Sequence, residues 1–144
     1  MKRNATAIWK GALGDGTGTL TTQSGALSDQ GYSFKARFED ESGKSGTNPE
    51  ELLAAAHAGC FAMQLSHFLA ENGTPADELK ARSEMSLEKV EGGFAIKRSA
   101  ISLEARVPGV DQAKFEELAR KAKDGCPVSK ALGAIEITLD AKLV

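Results

Sequence analysis

Large or apolar side chains alternate with polar ones at a period of two in the first third of the chain, which is the spacing of β-strands. A threonine-rich run follows Gly14-Asp15-Gly16, so the pattern predicts a β-hairpin that turns at these residues. The stretch from Tyr32 to Phe38 alternates in the same way and predicts a further strand, with Arg37 on its polar face. The polar residues 39–46 include two glycines and predict a mobile loop.

The second half of the chain carries the longest alternating runs. Leu79 to Val90 and Phe94 to Val107 predict two strands joined by a hairpin turn at Glu91-Gly92-Gly93. The phase of the alternation changes within the second run, which predicts a β-bulge near Lys97 to Ala100. The alternating residues 134–143 predict a last strand at the end of the chain.

A long apolar run between these regions has the signals of a helix. Asn48 and Pro49 suit the N-cap and the first helical position, and Glu51 completes a pattern typical of a capping box. Asn72-Gly73 predicts that the helix ends near Glu71.

Two more helices are predicted in the last third of the chain. Residues 111–122 place apolar side chains at helical spacing, which predicts an amphipathic helix. Cys126-Pro127 predicts the start of a short helix with proline at its first position. Strands and helices together predict the α+β class.

Composition fits one globular domain, 1–144. The chain has 144 residues, a hydrophobic fraction of 41% and a formal net charge of -2. This charge balance does not favour a nucleic-acid partner. We expect no signal peptide, because the charged N-terminus has no apolar run long enough for one. We expect no membrane partner, because His57, Gln64 and His67 interrupt the best apolar run. The expected location is the cytoplasm, where thiols stay reduced.

The chain has two cysteines, and each permits an inert and a reactive interpretation. Cys60 lies among alanine, leucine and phenylalanine, so it fits either a small buried hydrophobe or a nucleophile. Cys126 precedes a helix start, where free N–H groups favour a thiolate. By local chemistry alone, Cys126 is therefore expected to be the more acidic thiol.

Two other chemistries need a histidine beside Cys60. His57, Cys60 and His67 share one broad helix face, but Cys60 and His67 are about 10 Å apart along the axis, which does not suit one metal ion. His57 lies one turn before Cys60 and would serve as its general base, although no motif supplies an orienting group or an oxyanion site. We therefore predict no metal site and no cofactor.

Two spaced motifs resemble the OsmC/Ohr family of thiol-dependent peroxidases. The first joins residues 47–52 to Ala56-His57-Ala58-Gly59-Cys60-Phe61, and the second is Cys126-Pro127-Val128-Ser129-Lys130. Val128 and the ending Thr138-Leu139-Asp140-Ala141-Lys142-Leu143 are more similar to the OsmC branch than to the Ohr branch. The resemblance covers nearly the whole chain.

The resemblance implies an α+β fold with antiparallel sheets wrapped around central helices in an intertwined homodimer. It implies that Cys60 attacks an organic hydroperoxide, and hydrogen peroxide less well, and that Cys126 resolves the sulfenic acid to a disulfide. It also implies that Arg37 stabilises the Cys60 thiolate, that Glu50 holds Arg37, and that an external dithiol reduces the disulfide.

Helix geometry bears on the implied role of Glu50. Glu50 lies about 15 Å from Cys60 along one helix, so a shared site requires a second subunit. An alternative from another class is a dimer without catalysis that binds an apolar small molecule or senses oxidation. Steady-state consumption of peroxide distinguishes the two, because a sensor reacts at most once per thiol.

Overall fold

A computed structural model describes all 144 residues, with helices and two three-stranded sheets. The predicted α+β class is confirmed. The chain forms two compact units, Met1–Pro49 and Glu50–Val144, and each is described by itself. A single domain over residues 1–144 stays a prediction.

The first unit contains an antiparallel sheet in the order β1-β2-β3. Its strands are β1 (Ala5–Lys10), β2 (Thr17–Thr22) and β3 (Gln30–Ser33). The hairpin predicted at the first glycine turn is confirmed as the β1–β2 pair. Gly18 is required in β2, because a side chain there would collide with the Ile8 carbonyl and the Tyr32 ring.

The strand predicted from Tyr32 to Phe38 is wrong beyond Ser33. The chain instead forms a short helix, α1 (Phe34–Phe38), whose N-cap is Ser33. The Ser33 hydroxyl accepts a hydrogen bond from the Ala36 N–H at 3.0 Å, which favours the helical start. The alternation also fits this helix, because Phe34 and Phe38 are four residues apart and their ring centroids lie 4.8 Å from each other.

The loop after α1 has more internal structure than its composition predicts. The Asp40 carboxylate accepts hydrogen bonds from the backbone N–H groups of Ser42, Lys44 and Ser45 at 2.8–2.9 Å. Both serine hydroxyls also donate to it. These bonds, first of all those from the serine hydroxyls, hold the pKa of Asp40 well below its usual range.

The long helix α2 (Pro49–Glu71) belongs to the second unit from Glu50 onward, and its start and end agree with the sequence prediction. Gly73, two residues after the last helical residue, has a φ of 79°. The Gly73 N–H donates to the Ala70 carbonyl and the Thr74 N–H to the Leu69 carbonyl, both at 3.0 Å, which is a Schellman motif. By length and composition α2 resembles a membrane span, as core helices of soluble proteins also do.

The second sheet contains β4 (Glu78–Val90), β5 (Gly93–Arg106) and β6 (Glu136–Leu143) in that order. The predicted β4–β5 hairpin is confirmed. The predicted bulge is also confirmed, because Ser86 pairs with Arg98 while Leu87 pairs with Ile96, so that the intervening Lys97 has no paired residue. Ile96 and the odd-numbered residues from Ser99 therefore face the same side of the sheet.

The pairing of β6 corrects the expectation of antiparallel sheets, because β5 and β6 are parallel. Parallel neighbours need a crossover connection. Here α3 (Gln112–Gly125) and α4 (Pro127–Ala131) supply it, and the Asp111 side chain caps α3 by accepting from the Lys114 N–H. One face each of α2, α3 and the sheet contributes to the core. The buried core residues are Phe61, Leu65, Leu69, Ile101, Leu103, Ala105, Val107, Phe115, Leu118, Ala119 and Ala122.

Candidate active site

The two cysteines meet in the second unit although 66 residues separate them in the sequence. Cys60 lies in α2 and Cys126 directly precedes α4. Their Sγ atoms are 2.7 Å apart, and both are free thiols in this structure. Cys60 is half-buried, whereas Cys126 is fully buried. A small oxidant from solvent therefore reaches Cys60 more readily than Cys126.

Local hydrogen bonding explains the position of Cys126. Its backbone N–H donates to the Ala122 carbonyl at 3.0 Å and closes the end of α3. Its Sγ accepts from the Ser129 N–H at 3.5 Å and caps α4, with Pro127 at the first helical position. Cys126 thus belongs to the caps of two helices, which fixes the direction of its side chain.

The surroundings of the two thiols favour different protonation states. Burial raises the pKa of Cys60, and the hydrogen bond with Cys126 raises it further. Burial also acts to raise the pKa of Cys126, but hydrogen bonds from Cys60 and from the backbone and side chain of Ser129 outweigh it, so that this pKa is lowered. Either sulfur can donate at 2.7 Å, and these directions make Cys126 the more acidic of the two thiols. This order agrees with the acidity expected from the sequence.

His57 is fully buried one turn before Cys60, but both of its ring nitrogens bind serine hydroxyls. Nδ1 lies 2.7 Å from Ser99 Oγ, and Nε2 lies 2.8 Å from Ser129 Oγ. Burial lowers the pKa of His57, which keeps the ring neutral. The alternative in which His57 is the base for Cys60, which the sequence did not favour, is excluded in this structure because both ring nitrogens are bound to serine hydroxyls.

Three serines around this histidine were not predicted as site residues. Ser99 Oγ lies 2.9 Å from Ser83 Oγ, so the hydrogen bonds continue from α4 through α2 and β5 to β4. A signal was present in the sequence, because Ser83 and Ser99 occupy positions on the apolar faces of two alternating runs. Ser129 lies three residues after Cys126 and fits the capping spacing.

Three other side chains on α2 near Cys60 differ in burial. The His67 side chain is exposed, and its Nε2 lies 3.5 Å from Glu71 Oε1. Phe61 is fully buried in the core. Met63 is 76% exposed and borders a shallow hollow with Ala76 and other residues.

Arg37 and Glu50 lie in different units of the chain, Arg37 in the first and Glu50 at the start of the second. Arg37 is exposed, and its guanidinium carbon lies 4.9 Å from the centre of the Phe38 ring. It lines a mainly apolar cavity of about 300 Å³ with Trp9, Leu13, Tyr32, Ser33, Phe34, Phe38 and Pro49. Their predicted roles toward Cys60 stay predictions.

The continuous helix α2 sets the distance between Glu50 and Cys60 of the same chain. Because α2 runs from Pro49 to Glu71 without interruption, Glu50 and Cys60 are separated by ten helical residues, or about 15 Å along the axis. A single α2 therefore cannot bring the two side chains together.

Comparison with known proteins identifies relatives over the whole chain. Residues 41–140 match the family model described as OsmC-like protein. The chain is 48% identical over 143 residues to the protein named Peroxiredoxin OsmC of Escherichia coli (strain K12), which covers 99% of this chain and 97% of the relative. It is 32% identical over 133 residues to the organic hydroperoxide resistance protein OhrB of Bacillus subtilis (strain 168), covering 91% and 93%.

Solved structures give the same result. The crystal structure of OhrB of Bacillus subtilis matches with a TM-score of 0.71 at 31% identity and covers 96% of this chain and 98% of the other. The structure of an organic hydroperoxide resistance protein OsmC from Legionella pneumophila matches with a TM-score of 0.72 at 28% identity, covering 96% of each.

Proposed function

Because this chain belongs to the OsmC family, we infer that it is a cysteine-based peroxidase that reduces organic hydroperoxides. The observation that carries this inference is the 2.7 Å approach of Cys60 Sγ to Cys126 Sγ. Two free thiols at this separation need little movement to reach the bond length of about 2.05 Å in a disulfide. Such a pair can be oxidised and reduced repeatedly without large rearrangement.

The reaction that we propose has three steps. The Cys60 thiolate attacks the terminal oxygen of the hydroperoxide, the O–O bond breaks, and the alkoxide takes a proton and leaves as the alcohol. Cys126 then attacks the sulfur of the Cys60 sulfenic acid, and the hydroxyl group leaves with a proton as water. An external dithiol reduces the Cys60–Cys126 disulfide by thiol–disulfide exchange.

The first step requires a cation near Cys60. Burial and the contact with Cys126 raise the pKa of Cys60, and no positive side chain is among the causes of this shift. We propose that Arg37 supplies the charge in the assembled protein and that Glu50 holds its guanidinium group. The apolar cavity that Arg37 lines supports this proposal, because a permanently charged guanidinium beside aromatic rings suits a hydroperoxide with an apolar body.

A homodimer is part of the same proposal. The distance along α2 supports it, because Glu50 can serve a Cys60 site only from another subunit. One face of α2 also supports it, since small and apolar residues at spacings of three and four are exposed along its length. These exposed residues are Ala56, Gly59, Met63, Ser66 and Ala70. The cytoplasm is the proposed location, because both thiols must be re-reduced after each turnover.

Steady-state turnover of an alkyl hydroperoxide with a dithiol reductant tests the function. We expect Cys60→Ser to abolish turnover and Cys126→Ser to leave the attack on peroxide but remove the disulfide. Mass spectrometry after one equivalent of hydroperoxide should find a Cys60–Cys126 disulfide in the wild type and in neither variant. The assignment is wrong if Cys60→Ser retains wild-type turnover. Oxidation that stops at one event per thiol pair, despite the reductant, would favour the sensing alternative.

A further inference from the structure

We propose that the hydrogen bond between His57 and Ser129 holds the resolving thiol, Cys126, in place beside its partner. As a consequence, the Cys60 sulfenic acid closes to a disulfide before a second hydroperoxide oxidises it further. His57 is a positioning residue in this proposal, because it acts through Ser129 and not on the reacting atoms. The inference rests on the proposed function, since the position of Cys126 matters to catalysis only if Cys126 attacks a sulfenic acid.

Two contacts join α2 to the start of α4, and they are one helical turn apart on both segments. His57 Nε2 and Ser129 Oγ are 2.8 Å apart, and Cys60 Sγ and Cys126 Sγ are 2.7 Å apart. The histidine precedes its cysteine by three residues, and the serine follows its cysteine by three. Residues at this spacing lie on the same side of a helix, so the two contacts are neighbours. We call the first contact the His57–Ser129 clamp.

Backbone hydrogen bonds connect Ser129 to Cys126 within the first turn of α4. The Ser129 N–H donates to Cys126 Sγ at 3.5 Å, and the Lys130 N–H donates to the Cys126 carbonyl at 3.1 Å. These bonds make the turn one unit, so a bond that fixes the Ser129 hydroxyl also limits the movement of the sulfur. The clamp therefore requires no direct bond from the Ser129 hydroxyl to the thiol.

The burial of α4 shows why this hydroxyl matters. Ser129 is the one buried residue of α4, and the other four are exposed or half-buried. A buried hydroxyl requires a hydrogen-bond partner, and His57 supplies it. The short helix is therefore attached at this point by a directional bond, and not by a buried apolar side chain.

The other nitrogen of the ring is held by the second sheet. His57 Nδ1 lies 2.7 Å from Ser99 Oγ on β5, and Ser99 Oγ lies 2.9 Å from Ser83 Oγ on β4. A neutral imidazole has one donor and one acceptor nitrogen, so it can serve a serine on each side. Because the ring is fully buried between these two bonds, its orientation is fixed before it contacts α4.

The clamp affects a competition at the Cys60 sulfenic acid. In the resolving step the Cys126 sulfur bonds to the Cys60 sulfur, the S–O bond breaks, and the hydroxyl leaves with the Cys126 thiol proton as water. In the competing step a second hydroperoxide transfers one oxygen to the sulfenic acid, which gives a sulfinic acid and an alcohol. The resolving step needs a movement of only about 0.7 Å from the observed separation, so holding Cys126 in place favours it.

The equilibrium of the Cys60–Cys126 disulfide with dithiothreitol at fixed pH tests the clamp in the full-length protein. Ser129→Ala removes the hydroxyl but keeps the backbone N–H that binds Cys126. We expect its disulfide to be about tenfold easier to reduce, which corresponds to a reduction potential about 30 mV higher. His57→Leu should give a similar shift, and the double variant should add little, since both substitutions remove the same bond. A loss of stability common to the oxidised and reduced protein does not move this potential.

Three further serine variants serve as controls. Ser129→Thr keeps the hydroxyl and should restore the wild-type potential. Ser86→Ala makes the same chemical change as Ser129→Ala at a half-buried position of β4 and should also leave the potential unchanged. Ser99→Ala frees the other ring nitrogen but keeps the bond to α4, so its shift should be clearly smaller than that of Ser129→Ala.

Excess tert-butyl hydroperoxide tests the consequence for catalysis. Mass spectrometry of the peptide that contains Cys60 distinguishes the disulfide from the sulfinic acid, which carries two added oxygens. We expect wild type, Ser129→Thr and Ser86→Ala to stop at the disulfide. Ser129→Ala and His57→Leu should accumulate the sulfinic acid and lose activity over successive turnovers.

Three results overturn the clamp and leave the proposed function intact. The first is a wild-type potential without sulfinic acid in Ser129→Ala, a result that decides the question even if His57→Leu does not fold. The second is an equal shift in Ser99→Ala, which would indicate a general loosening of the site. The third is a double variant whose shift is the sum of the two single shifts. Failure of the wild type to consume hydroperoxide instead removes the proposed function, and with it the role of the clamp in resolution.

Discussion

At the scale of single residues, the two thiols divide the chemistry because their surroundings differ. Cys126 accepts a hydrogen bond from the Ser129 N–H and has a lowered pKa, whereas Cys60 is the more accessible thiol and has a raised pKa. The thiol that is more accessible to peroxide, Cys60, is therefore also the one whose raised pKa disfavours the thiolate. For the proposed reaction, this makes the charge of Arg37 a requirement for the rate of the first step.

His57 makes stability depend on pH. Its pKa is lowered in the folded chain, while the unfolded chain keeps a histidine pKa of about 6.5. Below that pH the unfolded state binds a proton that the folded state does not, so the free energy of unfolding falls as the solution is acidified. The contribution of His57 is present above pH 6.5 and decreases by at most about 1.4 kcal/mol per pH unit below it.

Urea unfolding at pH 7.5 and 5.5, at fixed protein concentration, measures this dependence. We expect His57→Gln to lose less stability between the two pH values than the wild type, because glutamine has no proton to bind. His67→Gln should keep the wild-type dependence. An unchanged difference in His57→Gln would contradict the prediction.

At the scale of elements, the two glycines of the α2 region have opposite energetic effects. Gly59 is inside the helix, and an added Cβ would meet nothing within 4 Å. Gly73 ends the helix with a φ of 79°, which disfavours other residues. Gly59 therefore lowers the stability of α2, whereas Gly73 stabilises its C-terminal end.

Replacing each glycine by alanine should show this difference. On the Met63→Glu background, in which the exposed face of α2 should no longer pair with a second subunit, Gly59→Ala should raise the free energy of unfolding by about 1 kcal/mol, and Gly73→Ala should lower it by about 1 to 2 kcal/mol. Thermal unfolding followed by circular dichroism at 222 nm checks both, each variant being the control for the other. Shifts of the same sign would refute the argument.

Most elements were predictable because their signals are local. The cap and glycine signals placed α2 correctly, and the phase change in β5 located the bulge at Lys97. α1 was missed because a run of five residues fits both the strand and the helix period, and the helical start is favoured by a hydrogen bond from the Ala36 N–H to the Ser33 hydroxyl. The parallel pairing of β6 with β5 depends on where α3 and α4 return the chain, which no local pattern contains.

At the scale of the whole molecule, the proposed homodimer gives a role to the exposed face of α2. Met63 lies near the middle of that face and is 76% exposed, which is unusual for a large apolar side chain in a long helix. A charge at this position would be buried without a partner in a dimer interface.

Met63→Glu tests the dimer. Size-exclusion chromatography with light scattering should give twice the chain mass of 15.2 kDa for the wild type and for Met63→Leu. We expect Met63→Glu to approach the mass of one chain and to lose most of its peroxidase activity, because each site would lack the partner's contribution. A monomeric wild type with full activity would exclude the proposed shared site.

The candidate site was predictable only in part, because some of its residues are identified by local motifs and others only by contacts between distant elements. The family resemblance identified Cys60 and Cys126, and the structure brings these two together. Ser83 and Ser99 gain their role only when β4 and β5 pair and α2 packs against them, so single-sequence patterns could show that they were unusual but not what they contact.

The bulge at Lys97 shows that the count of residues in a strand can matter more than the identity of one of them. Lys97 is exposed, and the extra position that it fills sets which side of β5 is inward from Ser99 onward. Another side chain at this position, proline excepted, would still direct Ser99 to His57 and Ile101 to the core. A chain one residue shorter at this point would turn both outward, so the presence of a residue at position 97 sets the direction of the strand's side chains.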